Sequence, residues 1–294
     1  MISRKLAFPS GAQKSVLRGT FGVKPRTRFA DEKAGFYDRD ARNYFARAGV
    51  KSGLAKDQIS RFVKGIKKLG LWNNMVCWPL RSSQNAGTGT TAYSMGGLQS
   101  SNATMSGGSW LSDGFSLSST QQGSSTLSAL TQNVTLLICA RGDGTAYGSF
   151  PHVFGVQSAS TWSANEIRIG VDGFGSQMAT IVRNSSNSFV STTLGSNPLN
   201  SSTSFTFLSG TLSLGSTLNY RILTTNTTVT GTAPSSGTST LNRMQLNGRW
   251  DGALALANPM VVSFCAIITP NISGSESSIY SLYKSTLGQG LGLP

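Results

Sequence analysis

The chain has 294 residues, a formal net charge of +14, 34 glycines and only 12% charged residues. Ordinary chains carry roughly 25% charged residues and about 7% glycine, so helical bundles and coiled coils are excluded for most of the length and an all-β protein rich in turns is favoured. Apolar residues at 38% and aromatics at 9% suffice for a core and exclude a disordered chain. The length lies near the limit of one core, about 250–300 residues, which predicts one large domain with an appendage.

Charge divides the chain unevenly. Residues 1–81 hold 18 of the 25 bases and 5 of the 11 acids, a net of +13, whereas residues 82–294 hold 7 bases and 6 acids. Such polarity predicts an appendage that meets an acidic surface or nucleic acid, joined to a nearly neutral body. Residues 1–35 show no sustained period and read as a basic extended arm, with Arg4, Lys5, Lys14, Arg18, Lys24, Arg26 and Arg28 as anchoring bases. Leu6, Ala7 and Phe8 run straight into Pro9, so no secretory leader is expected here.

Residues 36–81 read as a short helical anchor segment. Ala41, Tyr44, Phe45 and Ala48 fall at i, i+3, i+4 and i+7, with Asp38 placed to cap the start and Gly49 to end the helix. Ile59, Phe62, Val63, Ile66 and Leu69 line one face of a second helix, with Arg61, Lys64, Lys67 and Lys68 elsewhere and Gly70 as its stop. Helices this short are marginal alone in water. Because they carry so much charge while the body looks self-sufficient in strands, Tyr44, Phe45, Ile59, Phe62, Val63, Ile66 and Trp72 are expected to anchor the chain on a partner. The apolar run through Trp72, Met75, Trp78 and Leu80 then carries the chain onto the body.

Residues 82–294 read as β throughout. Val134–Ala140, Glu166–Val171, Met178–Arg183, Phe205–Leu208, Leu218–Thr224, Arg243–Asn247 and Met260–Ile268 are short candidate strands separated by Gly, Ser, Asn and Asp clusters. The fold class is therefore mainly β, an antiparallel jelly-roll sandwich preceded by the basic arm and two short helices. Cys139 and Cys265 sit in apolar, strand-like runs and read as buried fillers, and no zinc or disulfide spacing joins them to Cys77.

The run Asp38-Arg39-Asp40-Ala41-Arg42-Asn43-Tyr44-Phe45-Ala46-Arg47-Ala48-Gly49, followed by Ile66-Lys67-Lys68-Leu69-Gly70-Leu71-Trp72, resembles the start of a group of tailed-bacteriophage virion proteins. In that group a short aromatic-bearing helix and a helix ending in Gly-Leu-Trp precede a concanavalin-like, laminin-G-type jelly roll. Gly107–Trp110 and Asp113–Phe115 resemble the first strand of such jelly rolls, and Asn247–Trp250 before Met260–Ile268 resembles the closing strands. The resemblance implies a structural protein located in the virion, as a head decoration, head fibre or tail component.

Catalysis finds little support in the sequence. The body's carboxylates are Asp113, Asp143, Glu166, Asp172, Asp251 and Glu276, with no closely spaced strand set that would place two within about 5–10 Å for glycoside hydrolysis. His152 is the single histidine and is expected at a turn or strand edge. Arg141-Gly142-Asp143 is read as a Gly/Asp turn, and Gly288, Gly290 and Gly292 as a flexible end. No catalytic residue, metal site, cofactor or membrane span is expected. Trp110, Trp162 and Trp250 could stack on sugar rings at a sandwich rim, making a host-surface glycan a candidate ligand. The expected partners are other capsid or tail proteins and further copies of the chain in a homo-oligomer. The alternatives are a jelly-roll capsid protein whose arm contacts the genome, and a carbohydrate-binding receptor-recognition protein.

Overall fold

The computed structural model describes residues 36–130, 133–144, 152–158, 166–172, 177–183, 189–234, 240–248, 258–272 and 274–294. The basic positions Arg4, Lys5, Lys14, Arg18, Lys24, Arg26 and Arg28 lie outside them, as do Trp162 and Trp250. Residues 1–38 and 39–294 form separate units.

The second unit opens with helices α1 (Arg39–Ala48) and α2 (Gly53–Lys68). The strands that follow are β1 (Met75–Pro79), β2 (Thr91–Ala92), β3 (Ala103–Met105), β4 (Ser109–Trp110), β5 (Phe115–Leu117) and β6 (Gly123–Leu130). Next come β7 (Val134–Gly142), β8 (His152–Gln157), β9 (Glu166–Asp172), β10 (Gln177–Arg183) and β11 (Phe189–Leu194). Strands β12 (Thr206–Ser213), β13 (Thr217–Ile222), β14 (Thr227–Thr232), β15 (Leu241–Leu246) and β16 (Met260–Ile268) precede a closing helix α3 (Glu276–Ser285).

The strands form two antiparallel sheets packed as a sandwich. The first runs β14-β13-β12-β7-β16-β5-β4, with β1 also paired to β16, and the second runs β11-β10-β9-β8-β15-β6-β3-β2. Between them lies one apolar cluster that includes Leu136, Ile138, Phe154, Ile167, Ile169, Tyr220, Met244, Val262 and Ile267. The predicted sandwich is therefore present, and the candidate strands named from sequence all fall within or across observed ones.

A sheet covered on one face only should alternate buried and exposed residues. In the first sheet β16 is buried at every position and β12 nearly so. The reason is a second apolar layer, because α2 and α3 cover the sheet's outer face. Phe62 of α2 meets Phe264 of β16 edge-on with centroids 5.6 Å apart, and Tyr283 of α3 lies 4.9 Å from Phe264 and 5.1 Å from Phe207. A bulge helps: the register of β16 on β7 shifts between Val262 and Phe264. Val262 and Cys265 thus both face the sandwich core, while Ser263 accepts a 2.9 Å hydrogen bond from the Tyr283 hydroxyl.

Several expectations are corrected by this packing. Met75–Pro79, read as a connector, is strand β1, pairing in register from Met75 opposite Ile268 to Pro79 opposite Phe264. The division at residue 81 also disappears, since α1, α2 and β1 belong to the same compact unit as the sandwich. The glycine-rich end is packed: Leu287 is fully buried, and Arg81 donates to the carbonyls of Leu287 and Gln289 at 3.0 and 2.8 Å. Glycine here allows tight turns, with Gly290 and Gly292 at positive φ. Gly65 serves close approach instead, because a Cβ there would sit 2.5 Å from the Leu282 side chain of α3.

Candidate functional site

All seven described residues nominated as anchors are brought together, but on the chain's own sheet. Tyr44, Ile59, Phe62, Val63 and Ile66 are fully buried, and Phe45 and Trp72 nearly so. The Tyr44 hydroxyl donates to the Gln84 carbonyl at 2.8 Å, and burial pushes its phenol well above the usual range. Trp72 lies under the Lys67 ammonium, 5.5 Å from the ring, and Lys67 pairs with Asp40 at 2.7 Å. The expectation that these faces await a partner is thereby corrected. Helices of 10 and 16 residues need tertiary support, and the outer face of β16 and its neighbours supplies it. Their outward faces carry the charge instead: Arg39, Arg42, Arg61, Lys64 and Lys68 are all exposed.

A second grouping occupies the outer face of the other sheet. Along β9, Ile167, Ile169 and Val171 enter the core, so Glu166 and Arg168 point the other way. Arg168 donates from one nitrogen to Glu166 Oε1 and His152 Nε2, each 2.5 Å away. His152 is thus a buried member of a central strand, 5% exposed, and the turn or edge expected for it is corrected. Glu166, Arg168, Gln157 and Gln245 are also buried.

Strand register explains why they meet. Arg168 lies opposite Gly155, which lies opposite Gln245, and Glu166 lies opposite Gln157, which lies opposite Arg243. Gly155 makes room, since a Cβ there would come within 2.8 Å of Arg168 Cβ. Gln245 is only 3% exposed, yet neither its amide nitrogen nor its amide oxygen has a hydrogen-bond partner. An unmet buried amide costs about 1–3 kcal/mol, and a water or a ligand hydroxyl would satisfy it. The grouping therefore offers donors and acceptors side by side, chemistry suited to polar recognition. Only strand register could reveal it, because its members span residues 152 to 245.

The remaining nominated residues are placed less suggestively. Trp110 is half-buried, edge-on to Phe115 at 4.9 Å, and donates its indole N–H to the Gly89 carbonyl at 3.0 Å. Arg141 and Gly142 end β7 rather than forming a turn, and Arg141 pairs with Asp113 at 3.0 Å. Glu276 is 1% exposed, accepting from Thr211 at 3.1 Å and from Arg221 at 3.4 Å. It ties α3 to the sheet. Cys77, Cys139 and Cys265 are buried free thiols, as the apolar runs around Cys139 and Cys265 predict for those two. Among the described residues no His, Cys, Asp and Glu cluster could hold a metal ion, and no helix is long and apolar enough to cross a membrane.

Two facing antiparallel sheets define a β-sandwich of the jelly-roll type. Solved structures with this fold include the binding domain of botulinum neurotoxin serotype D/C, with a TM-score of 0.52 and 10% identity over 71% of this chain and 52% of that one. Another is a botulinum neurotoxin type C structure, whose cell entry depends on interaction with two ganglioside molecules, with a TM-score of 0.52 and 11% identity over 72% of this chain and 52% of that one. The serotype D binding domain matches with a TM-score of 0.52 and 6% identity, again over 72% and 52%. This chain spans about half the length of those chains, and at such identity the likeness establishes the fold alone. No family model matches the chain, and no curated protein is similar in sequence.

Proposed function

We propose that this chain is a non-enzymatic structural protein of a virus particle, held to the particle by its basic N-terminal region and displaying its jelly roll. The observation that carries the reading is the segregation of charge, with 18 of 25 bases in residues 1–81, joined to the helix sequences that resemble bacteriophage virion proteins. Partners under this reading are capsid or tail proteins and further copies of the chain, and the location is the virion. Labelling the protein on intact particles for electron microscopy tests it. Label on heads, tails or fibres is the expected result, and particles free of the protein would overturn it.

A second reading, carbohydrate recognition by the body, is supported by the buried grouping of His152, Glu166, Arg168 and Gln245 and by the ganglioside dependence named for a neurotoxin of the same fold. Calorimetric titration of the full chain with sialylated and neutral oligosaccharides tests it. Binding weakened by Gln245→Leu would favour this reading.

A further inference from the structure

The outward side of α2 carries an ordered stripe. Leu54, Asp57, Arg61, Lys64 and Lys68 recur at steps of three and four residues, all exposed, opposite the buried Ile59, Phe62, Val63 and Ile66. At 1.5 Å per residue the stripe runs about 21 Å. Helix α1 also presents exposed Arg39 and Arg42. Residues 39–81 contain ten bases and two acids, Asp40 and Asp57, and Asp40 is already paired with Lys67.

We infer that this stripe is a docking surface for an acidic protein partner, an inference that rests on the proposed attachment through the basic N-terminal region. Charge complementarity calls for an anionic partner. Two details favour a protein over a nucleic acid. Leu54, 65% exposed at the end of the stripe, offers apolar contact that a phosphate backbone does not use. In addition, the aromatic rings of α1 and α2, Tyr44, Phe45 and Phe62, are all buried, so neither helix offers a ring to stack on a base. A second copy of this chain is a poor partner: it carries a net charge of +14, and of the acids in its body Glu166 and Glu276 are buried and Asp113 is paired with Arg141.

The test compares two charge reversals in the full chain that remove the same charge. Arg61→Glu, Lys64→Glu and Lys68→Glu alter the stripe; Arg4→Glu, Lys5→Glu and Lys14→Glu alter the arm. Binding of a fluorescent poly-L-glutamate peptide is followed by anisotropy at about 0.15 M salt. The stripe variant should bind about tenfold more weakly than wild type, as three exposed ion pairs imply, and the arm variant within about threefold. Equal weakening in both variants would mean that net charge alone is at work and would overturn the inference. Weakening only in the arm variant would overturn the stripe while leaving attachment through the N-terminal region standing. Failure of the wild-type chain to bind the peptide would count against both. Tighter binding of a short DNA duplex than of the peptide would replace the protein partner by a nucleic acid. If the glutamate variant melts early, the corresponding glutamine variant carries the same comparison.

Discussion

Phe62 of α2 and Phe264 of β16, 202 positions apart in the sequence, meet edge-on at 5.6 Å. Both are fully buried. This contact makes the N-terminal helices part of the body's fold. Replacing Phe62 by Ala should therefore lower the stability of the isolated chain by about 3–5 kcal/mol, read as an earlier thermal transition. An unchanged melting temperature would mean that this face is not buried in the isolated chain.

The C-terminal residues should matter as much. Gln84, itself buried, donates to the Leu287 carbonyl at 2.9 Å and to Gln58 at 3.1 Å, and Tyr280 donates to the Pro294 carbonyl at 2.8 Å. Removing residues 286–294 strips the Leu287 and Pro294 carbonyls and the buried Leu287 side chain, a loss of at least about 2–3 kcal/mol. Hydrogen exchange should speed up in α1, α2 and α3 of the truncated chain. Unaltered protection there would restore the flexible end.

Burial pushes the Cys139 thiol from 9.0 up to about 12, opposed by a Tyr283 hydrogen bond and the Arg81 charge. It also raises Tyr44 and Tyr283 well above the usual phenol range. The unfolded chain releases these protons first as pH rises. The stability that the neutral thiol contributes is complete below about pH 9 and declines between there and about pH 12, by ~1.4 kcal/mol per pH unit. Urea midpoints should therefore fall across that window, and thiol-reactive dyes should label the native chain slowly even at about pH 9. Rapid labelling of the native chain at that pH would contradict the buried setting.

On the second sheet, Arg168→Ala should cost about 3–5 kcal/mol by leaving Glu166 buried without its partner. The double variant Glu166→Gln with Arg168→Met should recover much of that loss, because no charge then remains uncompensated. Chemical denaturation of the two variants separates the cases. A double variant as unstable as the single one would show that Glu166 and Arg168 do not stabilise each other.

The legible part of the fold follows from local pattern. The periodicity of Ala41, Tyr44, Phe45 and Ala48, and of Ile59 to Ile66, marked both N-terminal helices, and the apolar runs at Val134 and Met260 marked the central strands. Strand β1 was hidden because its Trp78-Pro79 ending reads as a connector, and α3 because Ser-rich Glu276–Ser285 has a weak apolar face. The polar grouping on the second sheet was hidden for another reason, since sequence offers no register between strands.

Composition, charge segregation and apolar periodicity determined by themselves that this is a β-sandwich with a basic, partly helical N-terminal region, because those properties depend on residue type and short-range spacing alone. Tertiary structure alone decided which way the helices face. An apolar stripe must be buried, but its residues carry no information on whether the covering surface is a partner or a sheet closed by a strand about 200 positions later. Here β16 presents Phe264 to Phe62, and α3 presents Leu282 to Gly65. That long-range pairing turns the apolar faces inward and leaves Arg61, Lys64 and Lys68 exposed.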